Sequence, residues 1–212
     1  MPKETLSPAE CRDMMLAVAD AIIAAEPVLT DADRALGDGD HGIGMSRGMN
    51  AVKDKLAGQE FESVEKVFTT MGMAMMSSMG GASGAVFGTL FRAGGKALTG
   101  AESFGSRELA AFFTAASEGV QTRGGAKVGD KTMVDSLAPA AEKAVAVAES
   151  GLPEAIAAVA DAAESGKEAS KDMIATMGRA KTLGEKTLGH PDAGAVSVTI
   201  ILSAMRDYIV AA

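Results

Sequence analysis

Tryptophan is absent from this 212-residue chain, tyrosine occurs once, and aromatic residues make up only 4% of it. Runs in which β-branched and aromatic residues alternate strictly with polar ones, the mark of a half-buried strand, are correspondingly scarce. A β-sheet fold is therefore not expected. Cysteine occurs once, as Cys11, which excludes an internal disulfide framework. Positive charge is also in short supply: the formal net charge is −8. An acidic excess repels a phosphate backbone, which excludes nucleic acid as the expected partner. No charged-then-apolar leader opens the sequence, so the expected location is cytoplasmic.

What the chain does have is alanine, methionine and glycine, with apolar residues at 47% of the whole, enough to bury a full core in one domain spanning 1–212. Ser7-Pro8 places a capping serine before a proline at the first helical position, and helix formers follow from Ala9 to Ala25, stopping before Pro27. Apolar residues recur at three- and four-residue spacing over 45–57, 61–79, 84–98, 107–121, 132–149, 153–165, 168–178 and 193–210, which predicts further helices. The stretch from Val67 to Phe91 carries no charge and is long enough to cross a membrane. Five glycines, three serines and three threonines interrupt it, so it is read as two buried helices broken at a glycine loop and not as a span.

Four of the predicted breaks are rich in Gly, Asp, His, Ser and Lys, although short helix connections have no need of paired aspartates or of histidine. In Asp31-Ala32-Asp33-Arg34-Ala35-Leu36-Gly37-Asp38-Gly39-Asp40-His41-Gly42-Ile43-Gly44, several carboxylates fall close together. Hard oxygen ligands of this kind suit Mg²⁺, which completes its octahedron with phosphate and water. An EF-hand is excluded because no closing glutamate follows at the required distance. An Asp-Gly turn with capping aspartates would use the same residues. Gly80-Gly81-Ala82-Ser83-Gly84 precedes a helix expected from about Ala85, where amides and the Ser83 hydroxyl would meet an anion, or where two helices would simply pack closely. The third break, Arg123 to Met133, sets two lysines and an arginine among glycines; it reads either as an anion contact or as a solvated loop. The fourth runs from Gly178-Arg179 to Gly189-His190-Pro191-Asp192-Ala193-Gly194. Neither a Walker loop, a zinc-ligand spacing nor a serine-hydrolase elbow is present.

In this order, and over essentially the whole chain, the four loops resemble those of the L (ADP-binding) subunits of dihydroxyacetone kinases. The resemblance rests on Asp33, Gly37-Asp38-Gly39-Asp40-His41-Gly42, Gly-Gly-Ala-Ser-Gly, Gly-Asp-Lys-Thr-Met and Gly-His-Pro-Asp-Ala-Gly. It implies an all-α fold, a closed barrel of about eight antiparallel amphipathic helices with the nucleotide at one end. It assigns Asp33, Asp38 and Asp40 to magnesium, as a pair of Mg²⁺ ions bridging the phosphates of ADP or ATP. It assigns His41, Gly42, Ile43, Gly44, Ala82 and Ser83 to the phosphates. Gly124, Met133, Arg179, Asp192, Ala193 and Gly194 fall at positions around the nucleotide, with Met133 beside the adenine. The usual last motif has proline where this chain has Ala193, which bears on the loop's conformation.

The resemblance further implies that no residue here acts as acid or base. The ketose, dihydroxyacetone or a relative such as erythrulose, belongs to a separate K subunit. The phosphoryl source is either exchangeable ATP or an ADP rephosphorylated in place by a phosphotransferase-system M subunit. Outside catalysis, the same fold would serve a nucleotide- or metal-binding regulator.

Overall fold

Ser7 starts the first helix as the sequence predicts. Its hydroxyl accepts from the Glu10 amide (3.3 Å) while the Glu10 carboxylate accepts from the Ser7 amide (2.8 Å), a reciprocal cap typically stabilising by about 1 kcal/mol. The computed structural model describes residues 3–211, and in it the chain forms α1 (Pro8–Ala24), α2 (Glu26–Arg34), α3 (His41–Leu56), α4 (Val64–Ser78), α5 (Gly81–Lys96), α6 (Ser106–Gly124), α7 (Val134–Ala146), α8 (Leu152–Ala169) and α9 (Ala193–Ala211). Short 3₁₀ turns lie at Ser170–Asp172, Ala180–Thr182 and Gly184–Thr187. Among the described residues there is no strand, only an isolated bridge between Leu6 and Phe104.

Three expectations are corrected. Pro27 does not end the helical region: Ala25 makes a one-residue corner and α2 begins with Pro27 in its first turn, where a missing amide proton costs nothing. Asp31 to Arg34, read as loop, are therefore helical. Second, Gly81 to Gly84 are the first turn of α5 and not a loop before it. Third, 168–178 is not a separate helix. α8 runs unbroken through Gly166, because the missing side chain lets it approach α7: a Cβ there would lie 2.1 Å from the Asp135 carbonyl oxygen. The chain then leaves helix at Met173, with extended backbone.

Each helix from α3 to α9 packs on the next, and α1 packs on both α3 and α9, so eight helices close a ring with α2 laid across α3 and α9. The charge-free stretch splits as expected into α4 and α5. They meet so closely that a Cβ on Gly72 would stand 2.7 Å from the Gly88 carbonyl, and one on Gly88 2.9 Å from that of Gly72. Inside the ring, Phe68, Phe104 and Phe112 stack at centroid distances of 4.7 to 6.5 Å, each pair adding about 0.5–1.5 kcal/mol beyond area burial. Cys11 is fully buried in the same core, and burial pushes its thiol well above the usual range. Among the described residues one helix, α9, is long and apolar enough to cross a membrane by length and composition. Here 56% of that window is buried, against α1 and α8.

Candidate functional site

Residues from the first turns of α3, α5, α7 and α9 all line one cleft, so these alternate helices of the ring begin at the same end. Their first turns carry amides outside the intrahelical ladder, some of them taken by Asp33, Thr132 and Asp192, and the positive ends of four helix dipoles. Together with the C-terminal ends of α2 and α6 and the 173–192 segment they frame a cleft of about 710 Å³, within the range of a small-molecule site. Of the residues singled out in the sequence, Asp33, Asp38, Asp40, His41, Ile43, Gly44, Ala82, Ser83, Gly124, Met133, Arg179, Asp192, Ala193 and Gly194 all line it. Gly42 does not. It faces α2, where a Cβ would lie 2.3 Å from Thr30 Oγ1 and 2.4 Å from the Glu26 carbonyl, so glycine is needed there for packing.

The three aspartates bring carboxylate oxygens within 4.8 Å of one another. Asp33 comes from the last turn of α2, and its Oδ2 accepts the His41 amide at 3.2 Å. Gly39 takes φ of 76°, a turn that brings Asp38 and Asp40 to the same side. Asp38 pairs with the Arg179 guanidinium from across the cleft. Asp40 occupies the cap position of α3 but makes no side-chain cap bond. Three exposed or half-exposed carboxylates this close repel one another and suit a hard divalent cation with oxygen ligands.

Facing them, Gly80 and Gly81 adopt φ of 73° and 59°, which directs the first amides of α5 toward the cleft beside Ser83. The His41 imidazole turns inward: it is 8% exposed, and Nε2 sits 2.8 Å from Ser197 Oγ. Burial lowers its pKa, only partly opposed by Asp33 and Asp40, so the ring is a neutral element of the barrel wall. Asp192 caps α9, with Oδ2 accepting the Ala195 amide at 2.8 Å. Burial pushes its carboxyl up to about 6, assisted by nearby Asp135 and opposed by the Ala195 and Gly194 amides and Lys131. Ala193 is the first residue of α9, a position that proline also accepts, so the departure from Asp-Pro-Gly leaves the helix start in place.

Sequence reasoning missed several lining residues. Val86, Phe87, Val120 and Ala126 form an apolar wall next to Met133; helical spacing marks most of these as core and nothing distinguishes a core face from a cleft face. Arg47 lines the mouth while its guanidinium donates to the Ser78 and Met79 carbonyls, tying down the end of α4 just before the Gly80 turn. Lys131 lines the floor yet is almost wholly buried.

The DAK2 domain family model matches residues 35–207. The ADP-binding subunit DhaL of the PEP-dependent dihydroxyacetone kinase of Escherichia coli is 39% identical over 82% of this chain and 84% of its own length. The corresponding subunit of kinase 1 of Listeria innocua is 38% identical over 84% and 85%. The dihydroxyacetone kinase of C. freundii, solved with AMP-PNP and Mg²⁺, superposes with a TM-score of 0.73 at 26% identity; the match takes in 98% of this chain and 34% of that one. The match of the family model to most of the chain, and of the two subunits to more than four-fifths of it, shows that the chain belongs to the DAK2 domain family.

Proposed function

We propose that the chain is the nucleotide-binding subunit of a dihydroxyacetone-type kinase, acting as one domain and passing a phosphoryl group to a short ketose held by a separate K subunit. The observation that carries this reading is the placement of the Asp33, Asp38 and Asp40 carboxylates against four converging helix N-termini in a single cleft. Carboxylates and amide donors together fit a cation-chelated polyphosphate; neither set alone would. The names of the two relatives and the AMP-PNP and Mg²⁺ of the solved kinase support the same ligand class.

In this reading Asp33, Asp38 and Asp40 hold a pair of Mg²⁺ ions between them. When bound, those ions offset the charge that builds on the phosphoryl oxygens during transfer. The first turn of α3, His41 to Gly44, and that of α5, with Ala82 and Ser83, face the phosphates, although the His41 and Gly44 amides themselves are held by Asp33 and Asp40. Gly124, Met133 and the apolar wall take the base, and Arg179 covers the phosphates from the far side. Asp192, Ala193 and Gly194 close the remaining wall at the start of α9. No residue acts as acid or base; the chain contributes positioning and fixed dipoles. Both relatives are named PEP-dependent, which favours an ADP that stays bound and is recharged by a phosphotransferase-type M partner over exchangeable ATP. The ketose, dihydroxyacetone or erythrulose, is then chosen outside this chain, and the location is cytoplasmic.

Isothermal titration with ADP, with and without Mg²⁺, tests the reading. Binding that requires the metal is expected, and nucleotide that stays with the protein through gel filtration is expected for the coenzyme-like role. Absence of metal-dependent binding would refute it, and rapid exchange would return the choice to ATP.

A further inference from the structure

Lys131 is 2% exposed, and it is the only non-glycine among the described residues with positive φ, at 60°. Side chains bearing a Cβ rarely adopt this backbone region, and a turn that needed it for its shape alone would be served by glycine or asparagine. Such strain persists only where the surroundings over-determine it. A lysine here therefore implies that its side chain is used.

That side chain reaches two backbone carbonyls. Nζ donates to Ser170 O at 2.5 Å and to His190 O at 2.7 Å. These carbonyls stand at the two ends of the 171–189 loop, whose neck is further tied by the Gly189 amide on Lys171 O (2.8 Å) and the Asp192 amide on Ser170 Oγ (3.1 Å). Beyond the neck the loop holds only short 3₁₀ turns and is fastened back by Thr176 on Asp130. Its far part carries Arg179 over the cleft to Asp38. Burial lowers the Lys131 pKa, while the Asp192, Asp135 and Asp172 carboxylates oppose that shift. An ammonium suits the position because one group can give charge-assisted bonds to both strands of the neck at once.

We propose that Lys131 is a positioning residue that clamps the neck of the 171–189 loop and thereby sets where Arg179 stands over the carboxylate cluster. It acts through Arg179 and not on the nucleotide itself. The part of this inference that concerns ligand binding rests on the functional reading above; the part that concerns the loop does not.

Limited trypsin digestion in EDTA, without nucleotide, reads the loop directly through cleavage after Arg179, Lys181 and Lys186. Lys131→Met, which keeps the apolar stem and removes both donated bonds, is expected to be cut there roughly tenfold faster or more. Lys131→Arg, which can again donate to both carbonyls, is expected to be cut at the wild-type rate. Wild-type cleavage of Lys131→Met, or faster cleavage throughout the chain, would overturn the proposal. Should Lys131→Met not fold, Lys131→Gln takes its place, with faster cutting at 179–186 expected and an unchanged rate refuting.

A second measurement separates positioning from a merely structural role. If Lys131 acts through Arg179, Lys131→Met weakens Mg·ADP binding about tenfold alone but less than about twofold in an Arg179→Ala background. Fully additive losses would overturn the coupling. Failure of the wild-type chain to bind Mg·ADP would count against the functional reading alone, since the digestion still decides the clamp.

Discussion

Replacing Asp40 by asparagine should make the empty protein more stable and the liganded protein less so. The three carboxylates stand within 4.8 Å of one another, and unit charges at that separation repel by about 0.9 kcal/mol in bulk water. Asparagine at 40 removes two of the three pairs, one of them already softened by the Arg179 partner of Asp38. It also forfeits the attraction between a carboxylate and the α3 N-terminus, about 0.3–1 kcal/mol. Because Asp40 makes no side-chain cap bond, little else is lost, and the net gain is about 1 kcal/mol, or about 2–4 °C in Tm for a chain of this size. On the proposed site, Mg·ADP a hundredfold above Kd instead stabilises the wild type by about 2.7 kcal/mol, about 5–10 °C, which the variant forgoes if Asp40 is one of the metal's ligands. Thermal melts at low salt should therefore cross: Asp40→Asn above wild type in EDTA, below it with Mg·ADP. Added salt should narrow the first gap by screening. A variant that melts lower in EDTA would show Asp40 to be a structural cap, and one stabilised by Mg·ADP as much as wild type would remove Asp40 from the metal site.

Asp192 gives a pH signature. Its carboxyl lies at about 6 in the fold against an ordinary 3.8, so the fold favours the protonated form; that contribution is complete below about pH 4 and is lost as pH rises through 6. Denaturant melts of Asp192→Asn and wild type in EDTA should diverge by about 2 kcal/mol between pH 4 and pH 7, in favour of asparagine at the upper end, and a flat difference would contradict the assigned burial. Ala193→Pro places a ring at the first position of α9, where no intrahelical amide bond is broken. It should keep the helical circular dichroism and raise stability by about 0.4–1 kcal/mol through the unfolded chain; a lower Tm would mean that the backbone at Ala193 does not match proline.

The parts of the fold that followed from local chemistry were legible in the sequence. Ser7-Pro8-x-Glu10 marks a helix start because each residue satisfies the backbone of the other, and the aspartate and glycine loops stood out because a helix connection does not need them. The failures came where distant groups decide. Gly166 looks like a helix breaker until Asp135 is found 2.1 Å from where its Cβ would be, and the helical spacing beyond Ser170 is overridden because Lys131 and Asp192 hold that residue from other segments. Pro27 reads as a stop in the sequence, which does not reveal that the chain turns at Ala25 and restarts. The same limit governs the site. A histidine beside aspartates promises a contact with ligand, yet the His41 ring is bound to Ser197, 156 residues away, and only its backbone amide faces the carboxylates. Lys131 shows the converse: a lysine among glycines looks solvated, and its use becomes visible only once Ser170 and His190 are found to converge on it. Residue type thus points to a ligand chemistry for the loops, whereas which side chains face the cleft and which hold the loops in place is decided by the closure of the ring.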